Sequence, residues 1–553
     1  MMIPSESPAA TPPGDGTGAA KPPGQRGWRT SSTLGKLLWP VGVFALASVV
    51  LLRPVADFDV WFVRIVGRYV LAHGAVPRHE FYLYPVMGEP SQFSAWGFGT
   101  VLELLGRLGG ERAIGVFNAM LGAGTLAGLF VASGARTGAK RWMRLLVLVP
   151  LLVCLDLRLN YRPEGTLYLA LGLVLVLLEG FLAGGKLALL LPIPLVAWAL
   201  ALLHTTPVFI LFVLLAYLAE WWLRGGHPPR AKVAVSLVAI GVLALPFANP
   251  YGVEHLIVLA KSLSLPTAEV SLNIEYLPVL QTEFAPYFIG LAFLTALWLV
   301  LGPRRLPDLF LVGALGYLSF AHARNIALFS LALVLPLVRM LADSRRAASL
   351  APARAIGAVL LCWGLATGLI LRSHPWGTGL QPGIFPERAV ARIREVSSGG
   401  PVFNFFHLGS YLYWQLGDRY PMLIDGHFLR ESRADTLHDE VFRADPGWEE
   451  LLRRDGVQVI VTPATLPFSG KMIPLVERLA DHPGWSLIEV EPAAMVFVSS
   501  EVLARRGMKG LPKERIWEQT LEEVGKVLAI YPDHAKAQSS RELALLHLGR
   551  TAR

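Results

Sequence analysis

Long apolar stretches recur along the chain as far as residue 371, and they constrain its fold more than any other feature. A helix needs about 20 apolar residues to cross the hydrocarbon core of a membrane, and about eleven stretches approach this length. They cover roughly residues 37–52, 113–133, 145–157, 166–184, 187–203, 207–223, 233–248, 286–302, 309–321, 326–342 and 355–371. The pattern predicts an α-helical polytopic membrane protein with about eleven transmembrane helices.

The composition supports a membrane protein and argues against a nucleic-acid partner. Hydrophobic residues make up 53% of the 553 positions and charged residues 16%, which is too apolar for an ordinary soluble protein. The net charge of +9 comes from basic residues in short loops beside the apolar stretches, so membrane topology explains it better than a nucleic-acid surface does. Cys154 and Cys362 lie within apolar stretches without C-x-x-C spacing, which indicates neither a disulfide framework nor a zinc site.

The basic loop residues predict the orientation of the chain. If the N-terminus is cytoplasmic, most lysines and arginines of the short loops, such as Arg136, Arg141 and Arg304, lie on the cytoplasmic side. The opposite short loops hold Arg158, Arg162, Lys261 and Arg324. An odd number of spans then places the C-terminal part outside the cytoplasm.

Four regions follow from these patterns. We predict a disordered cytoplasmic tail over 1–34, a transmembrane domain over 35–371 with an external loop at 54–112, an extracytoplasmic α/β domain over 372–505 and a helical tail over 506–553. A cleaved signal peptide ending near Ala45 to Ala47 is the alternative for the first helix, although its long N-terminal region favours a retained helix.

The α/β domain is predicted from short strand-like segments that alternate with amphipathic ones. Strands are expected at Pro401 to Phe406, Pro421 to Ile424, Val457 to Val461, Trp485 to Val490 and Ala494 to Val498, with helices near 387–397, 431–443, 447–455 and 471–481. Candidate metal or sugar contacts are Asn404, His407, Asp425, His427 and Glu431, with ordinary loop polarity as the alternative. The tail resembles one partial tetratricopeptide repeat, which we expect to pack on this domain.

Two carboxylates, Asp57 and Asp59, open the external loop directly after the first span. A helix near 60–73 should follow, lying at the membrane interface with one apolar arc and ending at Gly74. One aspartate could simply cap this helix. A pair of carboxylates at a membrane surface is also suited to act as a general base or to bind a metal ion.

Further polar residues recur where later helices reach the same predicted face. The candidate binding residues are Arg162, Glu164, His204, Asn249, Tyr251, His322, Arg324 and Asn325. Ionisable groups at helix ends are costly unless they pair or line a polar cavity, so their recurrence predicts a site between the helices. The alternatives are pairing of Arg162 with Glu164, a simple turn at Asn249-Pro250-Tyr251-Gly252, and contact of Arg324 with lipid headgroups.

The order of these motifs resembles the GT-C class of membrane glycosyltransferases, which use polyprenyl-phosphate sugar donors at the outer membrane face. The resemblance covers roughly residues 35–500, within a GT-C-type family of bacterial multi-pass proteins with an external C-terminal domain. It rests on Asp59-Val60-Trp61, Arg162-Pro163-Glu164, Leu203-His204, Asn249-Pro250-Tyr251-Gly252, Arg324-Asn325-Ile326 and Ile424-Asp425-Gly426.

The resemblance implies a glycosyltransferase in the bacterial inner membrane that acts on an envelope glycan, lipid or protein acceptor. Asp57 or Asp59 would be the base toward an acceptor hydroxyl, with a divalent cation such as Mg²⁺ or Mn²⁺ as a candidate cofactor held by the same residues. Arg162, His204 and Arg324 would hold the lipid phosphate. A transporter or flippase of lipid-linked substrates and a noncatalytic envelope assembly protein are the alternatives.

Overall fold

The computed structural model describes residues 33–254, 274–426, 432–467 and 469–550. The chain divides at Trp39 into two units: the first contains the start of helix α1, and the second, Pro40–Arg553, contains everything that follows. Nearly all of the predicted tail 1–34 lies outside the described residues, as do Lys261, His427 and Glu431.

Each of the predicted apolar stretches overlaps a helix. The helices up to residue 373 are α1 (Thr33–Val50), α2 (Asp59–His73), α3 (Trp96–Ala135), α4 (Arg141–Arg158), α5 (Glu164–Gly184), α6 (Ile193–Leu203), α7 (Val208–Arg224), α8 (Pro229–Ala244), α9 (Ala285–Leu301), α10 (Leu306–Ala321), α11 (Ile326–Asp343), α12 (Arg345–Ala348) and α13 (Pro352–Ser373). Helix α3 is broken at Gly109 and Gly110, whose backbone angles are not helical.

The lengths of these helices support a multi-pass membrane protein. Among the described residues, five helices are long and apolar enough to cross a membrane, namely Trp96–Ala135, Glu164–Gly184, Pro229–Phe247, Ala323–Asp343 and Pro352–Ser373. Four shorter apolar helices accompany them in the same part of the chain. The total of about eleven spans therefore stays a prediction.

Helix α2 differs from the expected interfacial helix because it is buried around most of its circumference. Its predicted end is present, since Gly74 caps it with a left-handed φ of 66°. Arg64 is buried and pairs with Glu103 at 3.3 Å and Glu111 at 3.1 Å. An added Cβ at Gly67 would lie 2.1 Å from the carbonyl oxygen of Gly99 on α3, so the two backbones touch.

A second group of buried charges lies at the other end of the helices, far from Glu164. Arg339 on α11 donates to both Glu179 on α5 and Asp308 on α10, while the Tyr217 hydroxyl donates to Glu179 at 2.8 Å. The rise of an α-helix places Glu179 about 22 Å from Glu164. The sequence does not predict this group: Arg136 is expected in a loop, whereas its guanidinium lies 3.7 Å from Glu179.

The C-terminal part of the chain contains a four-stranded mixed sheet. Strand β1 (Val402–Asn404) pairs in parallel with β2 (Val459–Thr462), and β4 (Ala494–Ser499) lies antiparallel between β2 and β3 (Trp485–Glu491). The elements are α14 (Glu387–Val396), β1 (Val402–Asn404), α15 (Gly409–Leu416), α16 (Arg433–Phe442), α17 (Trp448–Arg454), β2 (Val459–Thr462), α18 (Pro474–Asp481), β3 (Trp485–Glu491), β4 (Ala494–Ser499), α19 (Ser500–Arg505), α20 (Glu514–Ile530) and α21 (Ala535–His547).

The predicted strand at Pro421 to Ile424 is the exception, because this segment forms only isolated bridges. Met422 bridges Leu83 of the external loop on one side and Val402 on the other. Its N–H donates to the Tyr82 carbonyl at 3.0 Å, and its own carbonyl accepts from Tyr84 at 2.9 Å. Pro421 has no N–H to extend the pairing. The segment therefore connects the external loop to the edge of the sheet.

The helical tail packs on this sheet region, as we expected for a single repeat unit. The Glu523 carboxylate on α20 accepts backbone N–H groups of Ala464 at 3.1 Å and Thr465 at 2.7 Å. The Ser540 hydroxyl on α21 accepts the N–H of Met472 at 2.8 Å. Side chains of the tail thus provide hydrogen-bond acceptors for backbone N–H groups of the loop.

Glu80, at the junction of the external loop and the sheet region, should make the stability of the protein depend on pH. The side chain is 2% exposed, and burial together with the charge of Asp425 raises its pKa from 4.5 to about 7. A raised carboxyl pKa means that the folded state binds the proton more tightly, so the contribution of Glu80 to stability is fully present below pH 4.5 and is lost as the pH rises through about 7.

Thermal unfolding of the full chain at pH 5 and pH 8 checks this expectation. The wild type should lose more stability over this range than Glu80→Gln, whose neutral amide cannot titrate. Equal losses in the two proteins would show that Glu80 does not titrate in this range.

Candidate active site

Asp57, Asp59 and Arg162 form the centre of a polar cluster at one end of the helices. The Asp57 carboxylate accepts the backbone N–H of Asp59 at 2.9 Å and the Arg162 Nε at 2.9 Å. Arg162 Nη2 lies 3.2 Å from Asp59 Oδ2. Asp57 therefore accepts a hydrogen bond from the first N–H of α2, which is the capping role considered above. It also orients the Arg162 guanidinium.

Asp59 is the more open of the two carboxylates. Its side chain is 41% exposed, against 13% for Asp57. Burial of its inner side raises the pKa of Asp59 to about 7; Arg162 opposes the rise, and Asp57 and Glu275 add to it. A carboxylate that titrates near neutral pH and faces an opening is suited to accept a proton.

The turn between α4 and α5 presents Arg162 to the two aspartates. Tyr161 adopts a left-handed φ of 60°, which costs free energy for a residue other than glycine. Its hydroxyl donates to the carbonyl of Arg53. Arg53 in turn donates to the Asp156 carbonyl at 2.9 Å and to Asn160 Oδ1 at 2.7 Å. The strained turn is thus tied to the residues that precede Asp57.

Two more guanidiniums belong to the same cluster. Arg158 and Arg162 both bond the Glu275 carboxylate, at 3.0 and 2.9 Å. Arg324 bonds Glu164 at 2.8 Å and the Tyr276 hydroxyl at 2.7 Å. An Arg162–Glu164 pair was the alternative considered from the sequence. Instead, Arg162 bonds Glu275 and Glu164 bonds Arg324.

Glu275, Tyr276 and Arg158 were absent from the predicted site. Arg158 was visible in the sequence only as a basic loop residue. Glu275 and Tyr276 lie on a short 3₁₀ turn with no periodic pattern around it, so only the folded chain reveals their place.

The histidines lie beside the cluster. His204 is buried and close enough to Glu164 to interact with it electrostatically, and its Nδ1 accepts the N–H of Thr206 at 3.1 Å. His322 Nδ1 lies 2.8 Å from the Tyr276 carbonyl oxygen. His322 is therefore placed to orient Tyr276 rather than the reacting groups.

Three predicted binding residues make backbone contacts instead. Asn249 accepts the N–H of Tyr251 at 2.8 Å, which closes a turn. The Tyr251 hydroxyl donates to the Pro77 carbonyl at 2.8 Å in the external loop. Asn325 donates to the Leu318 carbonyl at 3.1 Å. The turn alternative for Asn249 and Tyr251 fits this geometry, and their contacts hold the loop in place.

The candidate residues of the sheet region also have local partners. Asn404 donates to the Ile424 carbonyl at 2.7 Å, and Asp425 accepts from the Ser410 hydroxyl at 2.8 Å. His407 packs against Phe58, and burial lowers its pKa to about 4, so the ring is neutral. Within the described ranges, no group of three or more His, Cys, Asp or Glu side chains is arranged to hold a metal ion.

Asp57 and Asp59 as placed do not fit a shared metal ion. The Arg162 guanidinium lies between them and bonds one oxygen of each carboxylate. A cation bound by both carboxylates would have to displace this arginine, so the chemistry below takes no step through a metal.

Comparison with solved structures finds related folds at low sequence identity. The mycobacterial arabinofuranosyltransferase AftD aligns over 84% of this chain and 40% of its own length, with a TM-score of 0.51 and 17% identity. The Archaeoglobus fulgidus oligosaccharyltransferase, in a complex with Zn and sulfate, aligns over 81% of this chain and 72% of its own, with a TM-score of 0.51 and 11% identity. The chain has a GT-C-type fold.

This chain thus spans less than half the length of the mycobacterial protein. No protein-family model and no curated protein matches the sequence. The likeness therefore concerns the GT-C-type fold, whereas function depends on the residues of the site.

The helices also form an apolar crevice. It lies between α7 and α10, has a volume of about 310 Å³, and is lined by Val208, Phe209, Phe212, Ala314, Tyr317 and Leu318. The Leu318 carbonyl accepts the N–H of His322 at 3.0 Å, and Val208 begins α7 shortly after His204. The crevice thus reaches the helix ends beside which His204 and His322 lie.

Proposed function

We propose that this protein is a membrane glycosyltransferase. It would transfer a sugar from a polyprenyl-phosphate donor to an envelope acceptor, a glycan, lipid or protein, at the outer face of the bacterial inner membrane. The observation that carries the proposal is the Arg162 guanidinium, which lies between an open carboxylate, Asp59, and two further arginines that could bind phosphate.

The neighbouring crevice supports a lipid-linked donor over a water-soluble one. Its lining is apolar, and one lining residue, Leu318, bonds His322, which lies two residues before Arg324 of the cluster that also contains Arg158 and Arg162. A polyprenyl chain in the crevice would place its phosphate near these guanidiniums. Arginine suits this role because its planar fork donates two hydrogen bonds to phosphate oxygens and stays charged.

The proposed reaction is a single displacement at the anomeric carbon of the donor sugar. Asp59 takes the proton of the acceptor hydroxyl, whose oxygen forms a new bond to the anomeric carbon. The bond from that carbon to the phosphate oxygen breaks, and its electron pair leaves with the polyprenyl phosphate. Arg162 and Arg324 stabilise the charge that develops on this phosphate, which favours the transition state over the bound donor.

Reconstitution of the full chain in liposomes tests the proposal. A panel of polyprenyl-phosphate sugars with labelled sugar groups is offered, and both donor binding and release of free polyprenyl phosphate are measured. Binding together with transfer or slow hydrolysis is expected for at least one donor. Absence of binding to all members of a broad panel and to polyprenyl phosphate itself would contradict the proposal.

Replacing Glu275 by glutamine should tighten the binding of polyprenyl phosphate by about tenfold. Burial alone would raise the pKa of Glu275, but Arg158 and Arg162 hold it below its usual value, so the carboxylate is ionised and competes with a phosphate for both guanidiniums. The neutral amide would compete less.

Binding of polyprenyl phosphate to the purified variant, measured by equilibrium titration, checks this expectation. The matched control is Glu283→Gln, because Glu283 is exposed in the same part of the chain. Weaker binding in Glu275→Gln would show that Glu275 holds the arginines in place for the phosphate and does not compete with it.

A further inference from the structure

We propose that the turn Asp425-Gly426 of the sheet region completes the active site. Gly426 forms the wall behind the Asp59 carboxylate, and Asp425 is a positioning residue that fixes this wall. The inference rests on the proposed function, because it assigns a task to residues that act through Asp59. It also gives the C-terminal part of the chain a role in the reaction itself.

The contact between Gly426 and Asp59 is close. A Cβ built on Gly426 would lie 2.8 Å from Asp59 Oδ1 and 3.8 Å from its Cγ. Since the other carboxylate oxygen faces Arg162 at 3.2 Å, the group is confined between a backbone and a guanidinium. A side chain at position 426 would push Asp59 out of this position.

Buried hydrogen bonds hold Asp425 in place. Its side chain is 2% exposed, and its Oδ2 accepts from two hydroxyls, those of Tyr82 and Ser410. Tyr82 belongs to the external loop that begins with the catalytic candidates, whereas Ser410 belongs to α15 of the sheet region. Asp425 therefore connects the external loop to the sheet region.

The residue before Asp425 is fixed as firmly. The Ile424 carbonyl accepts from Asn404 at 2.7 Å, and the same amide group of Asn404 accepts the N–H of Leu423 at 3.0 Å. The backbone of Gly409 lies against the Ile424 carbonyl so closely that an added Cβ would stand 2.0 Å from its oxygen. The turn is thus held from several sides before it reaches Asp59.

The consequence is that the position of Asp59 depends on residues far away in sequence. A displacement of about 1 Å in a reacting group can reduce the rate about 100-fold without changing the substrate contacts elsewhere. The guanidiniums that would hold the donor phosphate keep their contacts to Asp57, Glu164 and Glu275 when Asp59 shifts, and only the contact of Arg162 with Asp59 involves Gly426 indirectly. Disturbing the turn should therefore affect kcat and leave donor binding intact.

The test compares Gly426→Ala, Asp425→Ala and Asp425→Asn in the full chain in liposomes. Gly426→Ala and Asp425→Ala should each lower kcat by about 10- to 100-fold, while donor Kd stays within about twofold of the wild-type value. Asp425→Asn should recover most of the rate lost in Asp425→Ala, because its amide oxygen can still accept both hydroxyls. Gly525→Ala is the matched control, since an added Cβ on this α20 glycine meets nothing within 4 Å.

Three results would overturn the inference. Wild-type kcat in Gly426→Ala would show that the turn does not confine Asp59. A loss of kcat accompanied by an equal loss of donor binding and of thermal stability would show a purely structural role. Failure of Asp425→Asn to recover activity would show that loss of the hydroxyl contacts does not cause the lower kcat of Asp425→Ala. A wild-type protein that binds no donor would instead contradict the proposed function, so the two failures are distinguishable.

Discussion

Replacement of Asp59 by asparagine is expected to lower the rate of sugar transfer by about 10²- to 10⁴-fold, the range that a general base contributes. The amide has nearly the same shape, but it cannot take a proton from the acceptor hydroxyl. Donor binding should change little, because Arg162 keeps its contacts to Asp57 and Glu275. Single-turnover transfer from a saturating polyprenyl-phosphate donor measures the rate of the chemical step. Equilibrium titration measures donor binding.

Two controls make this result interpretable. Asp439→Asn removes an exposed carboxylate of the sheet region and should leave transfer unchanged. Asp57→Asn tests which aspartate is the base: we expect a smaller loss, because both oxygens of Asp57 already accept hydrogen bonds. Full activity in Asp59→Asn would show that Asp59 is not the base.

Replacement of Arg162 by lysine should lower transfer by about 10²- to 10³-fold, comparable with the loss of one donor that stabilises transition-state charge. Lysine keeps the charge but loses the fork that reaches Asp57, Asp59 and Glu275 together. Donor binding should also weaken, because the phosphate would lose a bidentate pair of hydrogen bonds from the guanidinium. This combined effect on kcat and Kd distinguishes Arg162 from Asp59.

Arg453→Gln is a suitable control for the arginine variant. Its guanidinium is 77% exposed and pairs with Glu450 one helical turn away, and such surface pairs contribute little to stability. Unchanged donor binding in Arg162→Lys would indicate that the phosphate is held by Arg158 and Arg324 alone. Unchanged transfer would contradict the mechanism.

The helices could be predicted from the sequence because lipid imposes a strong and simple rule. Any segment that spans a membrane must be apolar and must satisfy its backbone internally, so apolar stretches and helices coincide here. Charges that are buried by mutual pairing break this rule. Glu179, Asp308 and Arg339 are separated along the chain, and each alone predicts only a helix end or an interruption.

The candidate site could be predicted in part for a related reason. Asp57, Asp59, Arg162, Glu164 and Arg324 stand out in the sequence because charges are rare at the ends of apolar helices, and the structure brings them together. Asn249, Tyr251 and Asn325 stood out equally, but a polar residue at a helix end can serve the backbone as well as a ligand. Sequence alone cannot separate these two uses.

The pairing of Tyr82 with Asp425 bears on how the protein is made. The two residues are 343 positions apart, and the external loop reaches its place on the sheet only when the segment around Met422 is present. At about 5–20 residues per second, the ribosome needs roughly 20–70 s to add the residues between them. A nascent chain thus contains the aspartates long before Asp425 can help to hold Asp59 in place. Under the proposed function, truncated products should therefore be inert toward lipid-linked sugars.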